Sequence, residues 1–202
     1  MPLRKRLFDI ALALLLGLLL AVPFLALALA CLVLDGRPLL YGSERMQAPG
    51  RPFTLWKLRS MRPDAADRGV SGGDKAARIT RMGRILRRSR LDEIPQIWNV
   101  LKGDMSFVGP RPPLRDYVER FPALYADVLA CRPGITGLAS LVFHAHEEWW
   151  LARCTTAEET DAVYARVCVP RKARLDLIYR RNWSMRLDLW ILWRTAARLL
   201  GR

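Results

Sequence analysis

At 202 residues the chain is one domain's worth of polypeptide with room for an appendage. Lys and Arg number 33 against 19 Asp and Glu, a formal net charge of +14, so the partners to expect are anionic: nucleic acid, acidic lipid headgroups or phosphorylated substrates. Four scattered cysteines (Cys31, Cys131, Cys154 and Cys168) with no C-x-x-C pair argue against a disulfide framework and for reduced thiols inside a cell.

No charged residue lies between Asp9 and Asp35. Residues 10–34 would make a helix of roughly 37 Å, enough to cross a bilayer core of about 30 Å. The run is too long for the apolar region of a signal peptide. Two features argue against a straight span. Pro23 sits mid-run, where it removes a backbone hydrogen bond and kinks a helix. Both flanks are basic, with Arg4-Lys5-Arg6 before the run and Arg37, Arg45 and Arg51 after it, so both ends favour the cytoplasm. The expectation is a re-entrant helical hairpin over residues 1–35, kinked at Pro23. Residues 36–202 then form a domain on the cytoplasmic face.

Within that domain, Phe53-Thr54-Leu55-Trp56 reads as a short strand. Residues 63–76, polar and glycine-rich, read as a mobile loop. Residues 79–88 carry a helical apolar stripe of Ile79, Met82, Ile85 and Leu86. Ser89 is placed to cap a new helix with Pro95 in its first turn, which sets Asp92 and Glu93 at a helix N-terminus. Asn99 and Gly103 end it. A Gly/Pro-rich loop follows, then a helix over residues 115–131 and a turn over 132–137. Residues 170–202 combine leucines and arginines with Trp183, Trp190 and Trp193. That composition suits a helix in the membrane interface and equally a helix packed on its own domain. The fold class expected is mainly α with a small β element (α+β), membrane-associated.

Chemistry concentrates in residues 87–112. Asp92-Glu93 follows Arg87 and Arg88, and Arg111 stands between Pro110 and Pro112, which stiffen its backbone. Arginine presents a planar fork to phosphate oxygens. A carboxylate beside such cations can bind Mg²⁺ together with substrate phosphates, or attack phosphorus itself. Spacing alone does not separate these roles.

These residues belong to a wider set. Lys5-Arg6-Leu7-Phe8-Asp9, Phe53-Thr54-Leu55-Trp56-Lys57-Leu58-Arg59-Ser60-Met61, Arg78-Ile79-Thr80-Arg81-Met82-Gly83-Arg84, Leu91-Asp92-Glu93-Ile94-Pro95-Gln96 through Pro112, Arg132-Pro133-Gly134-Ile135-Thr136-Gly137 and Ser184…Asp188-Leu189…Ile191…Thr195 fall in one order along most of the chain. The chain resembles the bacterial sugar transferase family, the small monotopic phosphoglycosyl transferases. The resemblance implies transfer of a phosphosugar from a UDP-sugar to polyprenol (undecaprenyl) phosphate by a ping-pong route at the bacterial inner membrane. By motif position it implies Asp92 as nucleophile and Mg²⁺ ligand and Glu93 as its partner, supporting proton transfer or the lipid phosphate step. It also implies Arg87, Arg111 and Lys57 as phosphate-binding residues, with membrane lipids as surroundings.

The chain departs from the family's usual pattern in three places. Val22-Pro23 stands where Ser-Pro is common, so no serine satisfies the carbonyl that the proline frees. Ser43-Glu44-Arg45 replaces a usual Gln-x-Arg. His144 falls where many members carry an arginine linked to the nucleotide, which makes His144 a candidate nucleotide-binding residue. Two other classes fit less of the sequence. A nucleic-acid-binding protein leaves the apolar segment without a use, and no helix-turn-helix, zinc or RNP pattern supports it. A non-catalytic membrane scaffold leaves the joint spacing of Asp92-Glu93 and Arg111 unexplained. The sequence is open to homo-oligomerisation.

Overall fold

A computed structural model describes residues 1–64 and 69–201. The chain is mainly helical, with two small sheets among the described residues. Its first element, α1 (Leu3–Asp35), is one unbroken helix with Pro23 inside it. Both ends of α1 are fastened to the rest of the molecule. At the start, the Lys5 ammonium meets Asp188 at 2.5 Å, and Arg6 donates to the carbonyls of Val100 and Leu101. Asp9 accepts hydrogen bonds from Ser106 Oγ and the Phe107 amide. At the far end, Arg59 donates to the Asp35 and Gly36 carbonyls, and Thr80 Oγ1 donates to the Asp35 carboxylate at 2.6 Å. Ala13, Ala28 and Cys31 are buried against the domain, while the middle of the helix is largely exposed, with Leu18 and Val22 at 78% and 77%. An apolar surface of that kind in a helix of this length is compatible with membrane association.

The next elements are an antiparallel hairpin, β1 (Leu40–Ala48) and β2 (Arg51–Leu58), turning at Gly50 with φ +71°. The expected strand at Phe53-Trp56 is the middle of β2. A 3₁₀ turn at Gly73–Arg78 occupies the end of the stretch expected to be loop. Residues 65–68 of that stretch lie outside the described residues. Helix α2 (Arg81–Ser89) is capped by Thr80, whose Oγ1 accepts from the Gly83 amide.

Here the chain corrects the reading of Ser89. It ends α2 instead of capping a new helix, and its Oγ donates back to the Ile85 carbonyl at 2.8 Å. Arg90 then turns left-handed (φ +57°) and closes the α2 C-terminus. Asp92 and Glu93 sit on a single 3₁₀ turn, Leu91–Glu93, and Pro95 leads into α3 (Gln96–Lys102). Gly103, at φ +94°, stops α3 as expected, while Asn99 lies inside it.

Strand β3 (Ser106–Val108) pairs in parallel with β4 (Gly134–Thr136). Between them the single helix expected over residues 115–131 divides into α4 (Arg115–Arg120) and α5 (Pro122–Val128). Pro122 is the cause, because a residue before proline is pushed out of helical geometry and Phe121 adopts φ −129°, ψ 58°. Helices α6 (Leu138–Leu151) and α7 (Ala157–Val163) follow. A π-helical turn, Tyr164–Cys168, leads into α8 (Val169–Arg181), and Ser184 caps α9 (Met185–Leu200).

One apolar core gathers Met46, Tyr117, Tyr125, Phe143, Tyr164 and Val169. A second joins Ala13 of α1 to Phe53 and Leu55 of the hairpin, and through Phe107 to Tyr179 and Ile191 near the chain's end. Helix α9 packs on its own domain and also presents tryptophans outward. Ile191 and Asp188 are fully buried, while Trp190 and Trp193 face outward at 46% and 63% exposure.

Candidate active site

Two close contacts set the site. The Gly109 to Pro112 loop lies directly on the turn before α6: a side chain at Gly109 would come within 2.3 Å of the Arg132 carbonyl, and one at Gly137 within 2.1 Å of the Gly109 carbonyl. This close approach fixes Arg111 on a rigid base. The second contact is Asn99, whose Oδ1 accepts from the Trp56 amide at 3.1 Å while its Nδ2 donates to the Thr54 carbonyl at 2.8 Å. Asn99 thereby clamps β2 onto α3 and delivers Lys57, next along the strand, to the acid pair.

The two neighbouring carboxylates are both buried, at 7% exposure for Asp92 and 8% for Glu93, yet they are in opposite circumstances. Glu93 Oε1 accepts from Lys57 Nζ at 3.3 Å and Arg111 Nη2 at 3.2 Å, and Arg90 lies 3.6 Å from Oε2. Burial alone would raise its pKa, but Lys57, Arg111 and Arg90 together hold it well below the usual carboxylate range. Asp92 has no hydrogen bond and no ion pair among the described residues. Burial pushes its pKa up and the Glu93 charge adds to this, against the fields of Lys57, Arg87 and Arg111. One acid is a fixed anion that orders three cations, and the other is an unengaged carboxylate inside their field.

Of the residues expected from the sequence, Lys57, Asp92, Glu93 and Arg111 come together directly. Arg87, on the last turn of α2, acts on Asp92 through its charge, and its guanidinium contacts Met61 Sδ. His144 faces the same cations from α6. Burial, Arg90 and Arg111 push its pKa down to about 4, so it is neutral at ordinary pH, with Nε2 3.3 Å from Glu148. His146, two residues on, turns to the exposed side and stacks on Phe143.

The sequence reading missed Arg90, which lies between two assigned residues and is aimed only by its left-handed backbone. It also missed the support behind Arg111. Glu147, on α6, acts on Arg111 and is itself held by Lys172 Nζ at 2.8 Å, which also donates to Tyr164 OH. Tyr164 opens the π-helical turn, a distortion often found beside functional sites. Asp176 lines a cavity of about 20 Å³ with Arg111, Tyr164 and Lys172, and burial raises its pKa to about 7. The members of this set come from three elements, α6, the π-helical turn and α8, and meet only in the fold.

The donor chemistry suits a Mg²⁺ ion at Asp92 and not at Glu93. A buried carboxylate with no partner retains its lone pairs, and Mg²⁺ completes its shell with water and substrate phosphate oxygens. Glu93 is already covered by cations.

Bacterial sugar transferase, as a family, matches residues 2–202, essentially the whole chain. The chain belongs to the bacterial sugar transferase family. Its relatives include the uncharacterised sugar transferase EpsL of Bacillus subtilis strain 168, 35% identical over 97% of this chain and 87% of EpsL. The UDP-glucose:undecaprenyl-phosphate glucose-1-phosphate transferase of Caulobacter vibrioides is 37% identical over 98% of this chain and 70% of its own length. The enzyme with the same activity in its name from Klebsiella pneumoniae is 33% identical over 95% of this chain, which spans 39% of that longer protein. The stretch of this chain that matches these relatives spans the acid pair and its cations.

Proposed function

We propose that this member of the family is a phosphoglycosyl transferase. It moves a phosphosugar from a UDP-sugar to a polyprenol (undecaprenyl) phosphate at the cytoplasmic face of a bacterial inner membrane. The observation that carries the reading is the unpartnered Asp92 carboxylate beside a Glu93 neutralised by three cations; the named activities of the relatives supply the substrate classes. An Asp92 oxygen attacks the phosphorus that bears the sugar. The bond from that phosphorus to the uridine monophosphate oxygen breaks, and the nucleotide leaves with the electron pair. A polyprenol phosphate oxygen then attacks the same phosphorus and frees Asp92.

Residues of the site divide the work by charge. Arg87, Arg111 and Lys57 draw off the negative charge that would otherwise repel an anionic nucleophile. Glu93 holds Lys57, Arg90 and Arg111 in place, and its depressed pKa favours that duty over carrying a proton. A bound Mg²⁺, held by Asp92 and the donor's phosphate oxygens, would supply further neutralisation there. His144, uncharged, suits a hydrogen bond to the nucleotide better than an ion pair with its phosphates. On this reading His144→Ala raises the donor KM about tenfold with the acceptor KM unchanged, and equal donor kinetics in the two proteins would remove it from the nucleotide site.

A re-entrant placement of α1 in the membrane, with both ends on the cytoplasmic side, is part of the same proposal. The two ends of α1 dock on one domain while its apolar middle is largely exposed, which supports a re-entrant segment over a straight span. Single-cysteine labelling at residues near 2 and near 37 in intact cells is expected to find both positions protected until the membrane is opened. Labelling of one end from outside would show a span.

Transfer itself is tested by incubating membranes containing the protein with labelled UDP-sugars, Mg²⁺ and polyprenol phosphate. A labelled lipid diphosphate sugar is expected for at least one donor. The absence of lipid product across UDP-glucose, UDP-galactose and UDP-N-acetylgalactosamine would count against the reading for those donors.

A further inference from the structure

Arg45, in the Ser43-Glu44-Arg45 segment where the chain leaves the family's usual pattern, is a cation without a counter-charge among the described residues. It is partly buried, and its side chain makes one hydrogen bond among those residues, from Nε to Ser43 Oγ at 3.1 Å. No described carboxylate pairs with it, so both Nη groups remain free to donate. The hairpin register explains where it points. Tyr41 lies opposite Lys57 and Arg45 opposite Phe53, so Tyr41, Ser43, Arg45 and Lys57 share one face. Phe53 and Leu55 of that face pack into the core with Val100 of α3 and Phe107 of β3, and Lys57 on the same face reaches Glu93 at 3.3 Å.

The electrostatics agree with this convergence. Arg111 acts on Arg45, and both of them act on Lys57. Burial, together with the Arg111 charge, lowers the Arg45 pKa to about 10. Lys57 and Arg111 share Glu93 as their anion, whereas Arg45 has none among the described residues. Lys57, Arg90, Arg111 and Arg45 outnumber the neighbouring carboxylates Asp92 and Glu93 and leave the pocket net positive, and a planar fork with free N–H groups matches a phosphate oxygen pair.

We propose that Arg45, with Arg111 and Lys57, forms an anion subsite that takes a phosphate group of one of the two substrates. The proposal rests on the transferase reading for the identity of those substrates and deepens it by adding a binding residue from β1. The phosphate could come from the donor diphosphate or from the lipid headgroup, and the two are separable by experiment.

The test uses purified full-length protein in nanodiscs, with Arg45→Gln and Arg45→Lys variants. UDP is titrated by calorimetry, and polyprenol phosphate is titrated as a nanodisc component. Arg45→Gln is expected to weaken one of the two by about tenfold or more, with partial recovery in Arg45→Lys. Weakened UDP binding assigns the subsite to the donor, and weakened lipid binding assigns it to the headgroup. Thermal melts of both variants verify folding. A folded Arg45→Gln protein that binds both probes like wild type overturns the proposal. So does a lowered melting temperature with both affinities intact, which would mark Arg45 as a structural residue. Because UDP binding is read without turnover, wild-type protein that binds UDP through Arg45 but gives no lipid product with the donors tried would count against the transferase reading for those donors and leave the subsite standing.

Discussion

Replacing Asp92 with asparagine lowers transfer by roughly 10⁴-fold or more, because the amide has no anionic oxygen with which to attack phosphorus. The same substitution is expected to leave the fold intact. Asp92 is buried with no hydrogen bond or ion pair among the described residues, and burial already disfavours its charge. Removing that charge costs no contact, so the melting temperature should stay level or rise. A catalytic loss with unchanged stability distinguishes a nucleophile from a structural acid. Glu93→Gln is the instructive contrast, since it strips the partner from Lys57, Arg90 and Arg111 at once. Near-normal turnover in the Asp92→Asn protein would refute the assignment of the nucleophile.

Replacing Lys5 with methionine destabilises the protein by about 3–5 kcal/mol, the cost of leaving one member of a buried ion pair alone. The pair is unusually enclosed, with 6% and 1% of the Lys5 and Asp188 side chains exposed. Tyr179 OH and Trp183 Nε1 also donate to Asp188, at 2.6 and 3.1 Å, so the orphaned carboxylate would keep partners but no cation. This network joins the first turn of α1 to α8 and α9, and its loss frees the start of the membrane helix. The double variant Lys5→Met with Asp188→Leu is expected to recover part of the loss, since it removes both charges together. Unfolding in detergent followed by tryptophan fluorescence measures both. A single variant as stable as wild type would mean that the apolar contacts of α1 alone hold it in place.

What the sequence revealed depended on distance along the chain. Asp92, Glu93 and Arg111 lie within one short segment, and Lys57 precedes it in a recognisable strand motif, so their gathering could be expected in advance. Lys5 and Asp188 are 183 positions apart, and no local pattern announces their pairing. The same holds for Lys172 and Glu147, which meet across two helices. Local reading also failed where two signals competed. Ser89 has the chemistry of an N-cap, but the left-handed Arg90 after it ends one helix before another can begin. Pro122 announced a break that the apolar periodicity of residues 115–131 obscured. Strands β3 and β4, of three residues each, are too short to display any alternation.

The central claim is that Asp92 carries the phosphosugar between the two substrates, and it can be tested without the lipid. Purified protein is mixed with a UDP-sugar and Mg²⁺ alone, released nucleotide is quantified, and the protein is digested for mass spectrometry. The account predicts up to about one equivalent of uridine monophosphate per protein and a phosphosugar adduct on the peptide containing Asp92, both missing from Asp92→Asn. Nucleotide that appears only after polyprenol phosphate is added, with no adduct at any stage, would contradict it.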